Sequence, residues 1–256
     1  MKLFLSLFFF LTPLILCAQS NGKVILTPGI SYQHTFFDQV FTPWNSVTTS
    51  IKIERDQTTL IPSFSYSERF NIRGTQIGLE SYQELKNHDY VMGLLSYSNA
   101  QIFPEFKLFG EYFFNRSKRE FSVGARYMKF NNPVFLLTAS SSLYWKNYFT
   151  TLRPTLVIDN NNTSMNISLN HRWFYVEPSF VNFSMFYGYS TDQNLIYRNN
   201  KNQVLSSTFG ANISFFHKMG TSFSISAGYG IQHWDPAFNA FTWQHDLSIG
   251  ISKQFK

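Results

Sequence analysis

Long hydrophobic runs, charged residues and cysteine are all scarce in this sequence. Beyond residue 16 no apolar stretch reaches the roughly 18 residues of a membrane-spanning helix, which excludes a helical integral membrane protein. Charged residues make up 14% of the 256 residues, and Cys17 is the only cysteine. Aromatic residues, by contrast, make up 19%, while the mean hydropathy is -0.16. A chain this aromatic and yet neutral in hydropathy is atypical of a protein surrounded only by water.

The N-terminal segment has the layout of a secretory signal peptide. A basic Met1-Lys2 precedes a largely apolar stretch from Leu3 to Leu16, and small and polar residues follow it. This stretch is too short for a comfortable membrane span and lacks a basic stop-transfer cluster. We expect cleavage after Ala18, so that 1–18 is the signal peptide and 19–256 is the mature chain.

Cys17 belongs to this N-terminal segment. The alternative is a lipidated cysteine, but lipoprotein signals place a small residue before the cysteine, and here that residue is Leu16. If Cys17 leaves with the signal peptide, the mature chain has no disulfide, thiolate metal site or cysteine nucleophile. A secreted chain without disulfides must be stabilised in another way.

Strict alternation of apolar and polar residues is the strongest pattern in the mature chain. Apolar side chains occupy every second position from Phe223 to Ile231, and serine and glycine occupy the positions between them. The same period of two recurs at 121–127, 165–173 and 181–189, and a helical period is nowhere competitive. Strands of this kind can show one face to lipid and the other to a polar lumen, which also explains the neutral hydropathy.

This alternation predicts about fourteen strands, an even number, as bacterial outer-membrane barrels require. They lie near 23–34, 44–54, 58–68, 71–84, 88–98, 104–114, 118–130, 133–145, 147–158, 163–175, 179–189, 203–216, 219–233 and 239–255. The pattern is broken within 88–98 and 133–145, so twelve strands remains open. The predicted fold is all-β: a transmembrane antiparallel up-and-down β-barrel that fills 19–256 as one domain in the outer membrane of a Gram-negative cell.

The connections between predicted strands differ in length. Short periplasmic turns are predicted at 54–57, 86–88, 115–118, 146–147, 176–178 and His217-Lys218, with the longer connections at 35–43, 191–202 and 234–239 on the outside. The segment 192–201 is the predicted main extracellular loop. In the last strand Leu247, Ile249 and Ile251 alternate with polar residues, and Phe255 is the second residue from the end. This resembles the terminal strand signal that the barrel-assembly machinery recognises, except that Lys256 follows the aromatic residue.

Aromatic residues gather near the predicted strand ends. They are Trp44, Tyr144-Trp145, Trp173-Phe174-Tyr175, Trp234 and Trp243. Amphipathic rings prefer the level of the lipid headgroups, so these residues predict interfacial girdles. The alternative is that they form the core of a soluble β-sandwich, and the pattern of the last strand argues against it.

Extending the parity of the strands assigns a set of charged residues to the lumen. They are Lys52, Glu54, Glu80, Lys107, Glu111, Arg126 and Arg172, with Arg153 as a further member. Paired across the barrel, these charges would plug it; spread out, they would line a pore with a mild preference for anions. Both remain open at this point. The net charge of +6 favours anionic lipopolysaccharide or polysaccharide, but a basic balance alone decides little.

Several short motifs follow one another in a fixed order along the chain. They are Phe36-Phe37-Asp38 with Pro43-Trp44, Ile102-Phe103-Pro104, Glu120 to Tyr127, Asn147-Tyr148-Phe149 with Leu152-Arg153-Pro154, and Gly188 to Asp192. In these the chain resembles the YaiO family of outer-membrane β-barrels, except that Thr155 replaces a tyrosine and Thr191 a proline. The resemblance implies an outer-membrane location, no established activity and, in some members, a link to polysaccharide export.

Residues that could support catalysis are few. His233 and Asp235 share a parity near the external rim, whereas the neighbours His245 and Asp246 face opposite ways, and His171 stands apart. No nucleophile motif lies beside any of them. The histidines also lack the spacing of metal ligands, and glycines occur singly rather than in a phosphate-binding loop. We therefore expect no enzymatic activity, no metal and no cofactor.

Two functions from different classes fit these observations. The first is a channel or export-related protein for saccharides or small solutes, and the second is a closed structural barrel whose extracellular loops bind a ligand or partner. A lipid-modifying enzyme is the third and weakest. The expected partners are outer-membrane lipid and lipopolysaccharide, the barrel-assembly machinery during insertion, and a small solute or saccharide, but no nucleic acid.

Overall fold

Strands account for almost all of the structure. The computed structural model describes residues 23–38, 42–69, 71–130, 132–159, 162–188, 208–234 and 242–255. Within these ranges it has fourteen strands: β1 (Ile25–Phe37), β2 (Trp44–Arg55), β3 (Thr58–Arg69), β4 (Ile72–Glu84), β5 (Tyr90–Tyr97), β6 (Phe106–Arg116), β7 (Arg119–Lys129), β8 (Pro133–Trp145), β9 (Tyr148–Asp159), β10 (Asn162–Val176), β11 (Ser179–Gly188), β12 (Thr208–Met219), β13 (Phe223–Trp234) and β14 (Thr242–Lys253). One short 3₁₀ turn, Lys86–His88, precedes β5. No helix in the described ranges is long and apolar enough to cross a membrane.

The fourteen described strands form a closed antiparallel ring in which each strand pairs with its neighbours in sequence. The first and last strands close it, with a register that runs from Gly29 opposite Ser252 to Phe37 opposite Gln244. Beyond β14, Leu26 and Phe255 exchange two further backbone hydrogen bonds of 3.1 and 2.7 Å. The predicted all-β up-and-down barrel is thus confirmed, and the two weakest predicted strands are β5 and β8. The predicted signal peptide, 1–18, lies outside the described residues.

The two ends of the barrel differ. The end where the termini lie, called the terminal end below, carries tight turns such as 56–57, 117–118 and 146–147, with left-handed φ values of 49° at Asp56, 60° at Ser117 and 51° at Lys146. The opposite end, the loop end, carries the longer connections, including 98–105 and 189–207. Short turns are typical of the periplasmic side of such barrels. The predicted main loop at 192–201 lies outside the described residues.

One predicted turn is wrong. His217-Lys218 belongs to β12, which continues to Met219 and pairs there with Phe223 of β13. The turn covers 220–222, where Gly220 adopts a φ of 59° that side-chain-bearing residues rarely take. The chain therefore reverses where the glycine permits a left-handed backbone rather than where the polar residues are.

The outer and inner faces of the sheet carry opposite kinds of side chain. Large apolar residues point outward and are exposed, among them Ile30, Ile51, Phe64, Ile77 and Ile249. The alternate positions point inward and are mostly serine, threonine, glycine, glutamine and charged residues. A soluble barrel would place these faces the other way round, since burial of apolar surface drives its folding. The outward apolar band is the surface that meets hydrocarbon in a membrane barrel.

The predicted aromatic girdle holds for some residues and not for others. Trp145, Trp173 and Trp243 are exposed on the outside of the barrel. Trp44 is only 3% exposed and lies on the inward face of β2, where it packs edge-on against Phe37 with ring centroids 4.7 Å apart. Tyr144 and Phe174 were also predicted for the girdle, and they lie inside as well, on the faces of Ser142 and Arg172. Parity explains the errors: Trp44, for example, alternates with the outward residues Asn45 and Val47. The side chain of Trp234 lies outside the described part of the chain.

At the terminal end Asp89 ties two neighbouring hairpins together. It accepts hydrogen bonds from the hydroxyl of Tyr112 at 2.6 Å and from the backbone N–H of Asn115 at 3.0 Å, and Arg116 Nη1 lies 3.3 Å away. These donors, the Tyr112 hydroxyl above all, lower the pKa of Asp89 from its ordinary value. The carboxylate thus fixes the turn before β5 against the hairpin of β6 and β7.

The hairpin of β6 and β7 offers a matched test of which face is crowded. A Cβ added at the inward Gly124 would lie 2.9 Å from Glu111 Cβ and 2.9 Å from the Gly110 carbonyl oxygen, whereas one at the outward Gly110 meets nothing within 4 Å. We expect Gly124→Ala to lower the free energy of unfolding by about 1–3 kcal/mol through overpacking. Gly110→Ala should leave it unchanged.

Urea titrations of the two variants in detergent, followed by heat-dependent migration in gels, measure the difference. Equal stability of both variants would contradict the assignment of Gly124 to the crowded inner face.

Candidate functional site

All eight charged residues predicted for the lumen lie on the inward face. Lys52 and Glu54 belong to β2, and the other six lie along the arc of strands from β4 to β10: Glu80 on β4, Lys107 and Glu111 on β6, Arg126 on β7, Arg153 on β9 and Arg172 on β10. Their grouping on one side of the ring could not be read from parity, which assigns a face but no neighbours. We call the strands from β4 to β10 the charged arc.

An ion pair along the wall is the centre of this arc. Arg153 Nη1 lies 2.8 Å from Glu111 Oε1 and 2.9 Å from Oε2, so the pair joins β6 to β9 across the two strands between them. Glu111 is only 3% exposed and also accepts a hydrogen bond from Ser122, which bonds to Ser140. The pair lies over small side chains, since β7 and β8 supply glycine and serine beneath it. It stiffens the wall instead of crossing the lumen.

The other predicted charges make separate local contacts. Lys52 Nζ lies 2.7 Å from Glu54 Oε1 near the terminal end, where both side chains are partly exposed. Glu80 accepts a 2.5 Å hydrogen bond from the Tyr82 hydroxyl on the same strand. Lys107 lies opposite Ser96 of β5. The structure therefore brings together two pairs, Lys52 with Glu54 and Glu111 with Arg153. It does not join all eight residues in a single network.

Two arginines of the arc stack on aromatic rings. The guanidinium of Arg126 lies 4.9 Å from the centroid of Phe109. That of Arg172 lies 4.2 Å from Phe180, with Phe174 at 5.8 Å on the same strand. Among the described residues, no carboxylate pairs with Arg172. Both guanidinium groups thus lie against ring faces of the wall, which attract a cation.

The opposite wall is built from small residues. Strands β13, β14, β1, β2 and β3 place serine, threonine and glycine at most inward positions, for example Ser226, Gly250, Ser31, Ser50 and Ser63. Side chains of this size project little into the lumen. The two walls therefore differ in chemistry: one is bulky, aromatic and charged, and the other is thin and uncharged over most of its length.

Two interior cavities lie against these walls. One of about 360 Å³ lies in the loop-end half of the charged arc, where Phe109, Arg126, Arg153, Asn166 and Phe186 line it. The second, of about 170 Å³, lies against the small-residue wall beside Ser31, Ser50, Ser226 and Gly250, with Phe216 at its edge. Space for solutes is thus present on both sides of the lumen.

Three inward charged groups at the loop end were not predicted, and one of them is the buried Asp159 at the end of β9. Asp246 on β14 accepts hydrogen bonds from Thr35 at 2.5 Å, from Gln33 at 3.2 Å and from Gln244 at 3.0 Å. Arg69 on β3 lies 5.6 Å from both the Trp44 and the Phe103 ring centroids. Parity could have found Asp246 and Arg69, because Asp246 shares the face of Ser248 and Arg69 that of Ser67.

The histidines considered for catalysis point outward. His245 bonds to the Tyr229 hydroxyl at 2.8 Å and to Asp38 at 3.2 Å, while Asp246 beside it points inward. His233 stacks on Phe209 and meets Trp243 edge-on, and Asp235 lies outside the described residues. His171 bonds to Thr150 at 2.8 Å. In the described part of the chain, no three histidine, cysteine, aspartate or glutamate residues are grouped as metal ligands would be.

The Glu111–Arg153 pair predicts a large loss of stability when only one partner is removed. Arg153→Ala should lower the free energy of unfolding by about 3 kcal/mol, because it leaves a buried carboxylate without its counter-ion. Lys52→Ala breaks a partly exposed pair and should cost about 1 kcal/mol or less. Urea titration in detergent gives both values.

The double variant Arg153→Ala with Glu111→Gln tests the cause. It should recover much of the lost stability, since the neutral amide needs no counter-ion; no recovery would show that Arg153 acts through packing alone.

Solved structures share the overall fold at very low sequence identity. The CymD monoaromatic hydrocarbon channel is 10% identical with a TM-score of 0.60, covering 96% of this chain and 92% of its own. The anion-selective porin from Comamonas acidovorans is 7% identical with a TM-score of 0.51, covering 92% and 100%. A bacterial polysaccharide outer membrane secretin is 7% identical with a TM-score of 0.53, covering 93% and 99%. At these identities, the similarity concerns the fold.

The match to a protein family is more specific than the similarity of fold. No curated protein sequence matches the chain significantly. The family model of the YaiO membrane beta barrel domain matches residues 27–193, which is more than half of the chain and includes β1 to β11. This confirms the resemblance drawn from the motifs and agrees with the outward apolar band of a barrel in the outer membrane. The chain belongs to the YaiO family of outer-membrane β-barrels.

Proposed function

We propose that this barrel is a passive channel for small hydrophilic solutes or saccharides. The observation that carries the proposal is the placement of the ion pairs, since Glu111–Arg153 runs along the wall and Lys52–Glu54 stays within one strand. Neither pair crosses the lumen, and every strand in the described ranges belongs to the wall. A barrel of this size holds water unless side chains fill it.

The charged arc carries charge of both signs. Arg126 and Arg172 lie over aromatic rings. Glu120 and Asp159 are buried inward carboxylates of the same arc. Asp246 is an inward carboxylate on the opposite wall, and Gln33, Thr35 and Gln244 hydrogen-bond to it. A charged solute in the lumen therefore meets fixed charges of both signs.

The proposal also includes how the chain reaches the outer membrane and which molecules surround the barrel in it. Cleavage after Ala18 would release 19–256 into the periplasm, and the barrel-assembly machinery would insert it with β14 as the last strand. The outward residues Leu247, Ile249 and Ile251 support this, since they present lipid with an apolar face up to the C-terminus. Lipid and, at the loop end, lipopolysaccharide would surround the barrel.

Planar bilayers test the channel directly. The purified barrel should give discrete conductance steps, because neither described ion pair of the lumen crosses it. Arg126→Gln should lower the permeability of anions relative to cations by about twofold, as expected for loss of one of a few wall charges. Ser50→Ala, on the opposite wall, is the control and should leave selectivity unchanged.

A silent bilayer, with insertion verified by protease protection, would overturn the channel. It would favour the second candidate, a closed structural barrel whose loops bind a ligand or partner.

We assign no enzymatic role to the barrel. His245 has an Asp38 partner, but its second ring nitrogen bonds to the Tyr229 hydroxyl, and no serine or threonine within the described ranges bonds to it. His245→Ala should therefore leave the phospholipid and lipid A profile of cells unchanged when the lipids are compared by mass spectrometry. A lipid species lost in the variant and restored by the unchanged chain would establish a lipid-modifying activity instead.

A further inference from the structure

We propose that the terminal end of the lumen carries a binding platform for oligosaccharides, on which sugar rings stack against planar side chains from five consecutive strands. The inference rests on the proposed function and deepens it, because it selects saccharides among the hydrophilic solutes that such a channel could pass. The saccharide platform consists of Tyr144 on β8, Phe149 on β9, Arg172 on β10, Phe180 on β11 and Phe216 on β12.

The five planar groups form one continuous surface. The ring centroids of Tyr144 and Phe149 are 4.3 Å apart, and those of Phe180 and Phe216 are 5.4 Å apart. The guanidinium of Arg172 joins the two pairs, at 6.0 Å from the Phe149 centroid and 4.2 Å from that of Phe180. Because neighbouring strands are about 4.8 Å apart, the platform extends about 19 Å along the wall. A surface of this length accommodates several linked sugar rings.

The saccharide platform is accessible, whereas other inward rings are covered. Tyr144 is 42% exposed, although it shares the inward face of β8 with the buried Ser142, and the other four groups are partly exposed. The inward Phe109 and Phe113 of β6 are only 7% and 8% exposed. An inward side chain that stays accessible exposes its surface to the lumen at its terminal mouth. The rings of the platform are therefore available to a solute.

Hydroxyl groups lie beside the aromatic surface. Phe216 borders the cavity of about 170 Å³ that lies against the small-residue wall. Ser226 of β13 lies directly opposite Phe216, and Gly250, Ser31 and Thr48 follow it around the ring. Each hydroxyl can both donate and accept a hydrogen bond. A sugar whose face rests on Phe216 thus meets serine and threonine hydroxyls in the same cavity.

This combination of surfaces selects an amphipathic solute. The face of a sugar ring carries C–H groups that gain by leaving water for an aromatic surface, and its hydroxyls lie at the rim. A hydrocarbon would cover the rings but would desolvate the Arg172 guanidinium and the serine hydroxyls without replacing their hydrogen bonds. An inorganic anion would leave the rings uncovered. Saccharides use the rings and the hydroxyls together.

Charge does not decide which sugar binds. Arg172 is a cation within the saccharide platform, and Glu120 on β7 is a buried inward carboxylate of the same end of the barrel. The Tyr90 hydroxyl donates a 3.3 Å hydrogen bond to Glu120. Both signs are thus present near the platform. Recognition therefore depends on the features that all pyranose sugars share, namely the ring face and the hydroxyls.

Calorimetric titration of the full barrel, in a detergent without a sugar headgroup, tests the platform without requiring conduction. Maltohexaose or cellohexaose should bind in the millimolar range, and glucose at least about tenfold more weakly, because a single ring covers only part of the platform. Indole, a flat apolar probe, should also bind more weakly than the hexasaccharide. Phe180→Leu should weaken hexasaccharide binding about fivefold, as expected for loss of one aromatic stacking contact.

Phe183→Leu is the matched control. It makes the same substitution on the same strand, but Phe183 is 40% exposed on the lipid-facing side, so the affinity should not change. Heat-dependent migration in gels confirms that each variant is folded.

Four outcomes would overturn the platform. Indole binding as tightly as the hexasaccharides would show a site for apolar solutes, and glucose binding as tightly would show a site for one ring only. Equal weakening by Phe180→Leu and Phe183→Leu would remove the binding from the inner face. The fourth is that neither hexasaccharide binds to the folded barrel.

Bilayer recordings separate this inference from the channel on which it rests. Binding of a hexasaccharide by a barrel that never conducts would leave the platform standing and overturn transport. Conductance steps that neither hexasaccharide interrupts, together with no calorimetric binding, would leave the channel standing and overturn the platform.

Discussion

Closure of the sheet between β1 and β14 is the constraint on which the rest of the structure depends. In hydrocarbon no water is available to hydrogen-bond an exposed backbone N–H or carbonyl, so every strand needs a partner on both sides. The register from Gly29 opposite Ser252 to Phe37 opposite Gln244 supplies it for the first and last strands. Once the ring is closed, each side chain has only two directions available to it, towards lipid or towards the lumen. The alternation of the sequence follows from that restriction.

An interior lined by polar residues must be stabilised differently from an apolar core. Small residues provide one means: Gly124, Gly188 and Gly210 each lie under a larger neighbour, namely Glu111, Asn166 and Phe186. Short-range electrostatic contacts provide another, as the Glu111–Arg153 pair joins strands that are not hydrogen-bonded to each other. Both devices keep long side chains flat against the wall. The space between the described walls therefore depends on how the inner face is stabilised as well as on the number of strands.

The fold was predictable from the sequence because the alternation of apolar and polar residues is a local pattern. Such a pattern can be recognised without knowing which strands pair with each other. Inward positions of the charged residues follow from the same reasoning. Errors arose where the parity of a residue and the chemistry of its side chain predict different positions. Trp44 was expected at the lipid interface because it is a tryptophan, but its parity places it inside. The reversal at Gly220 was missed because polarity at His217-Lys218 was given more weight than the backbone freedom of glycine.

The arrangement of the site could not be predicted, because it depends on register across several strands. Glu111 and Arg153 are 42 residues apart, and their contact requires the pairings of β6 to β7, β7 to β8 and β8 to β9 all to be correct.

The same dependence sets the relation of the two walls. In a ring of fourteen strands β7 lies opposite β14, so Arg126 and Asp246 belong to opposite walls. The order of the strands around the ring thus sets which charges share a wall, and the amino-acid composition of the lumen alone does not determine it.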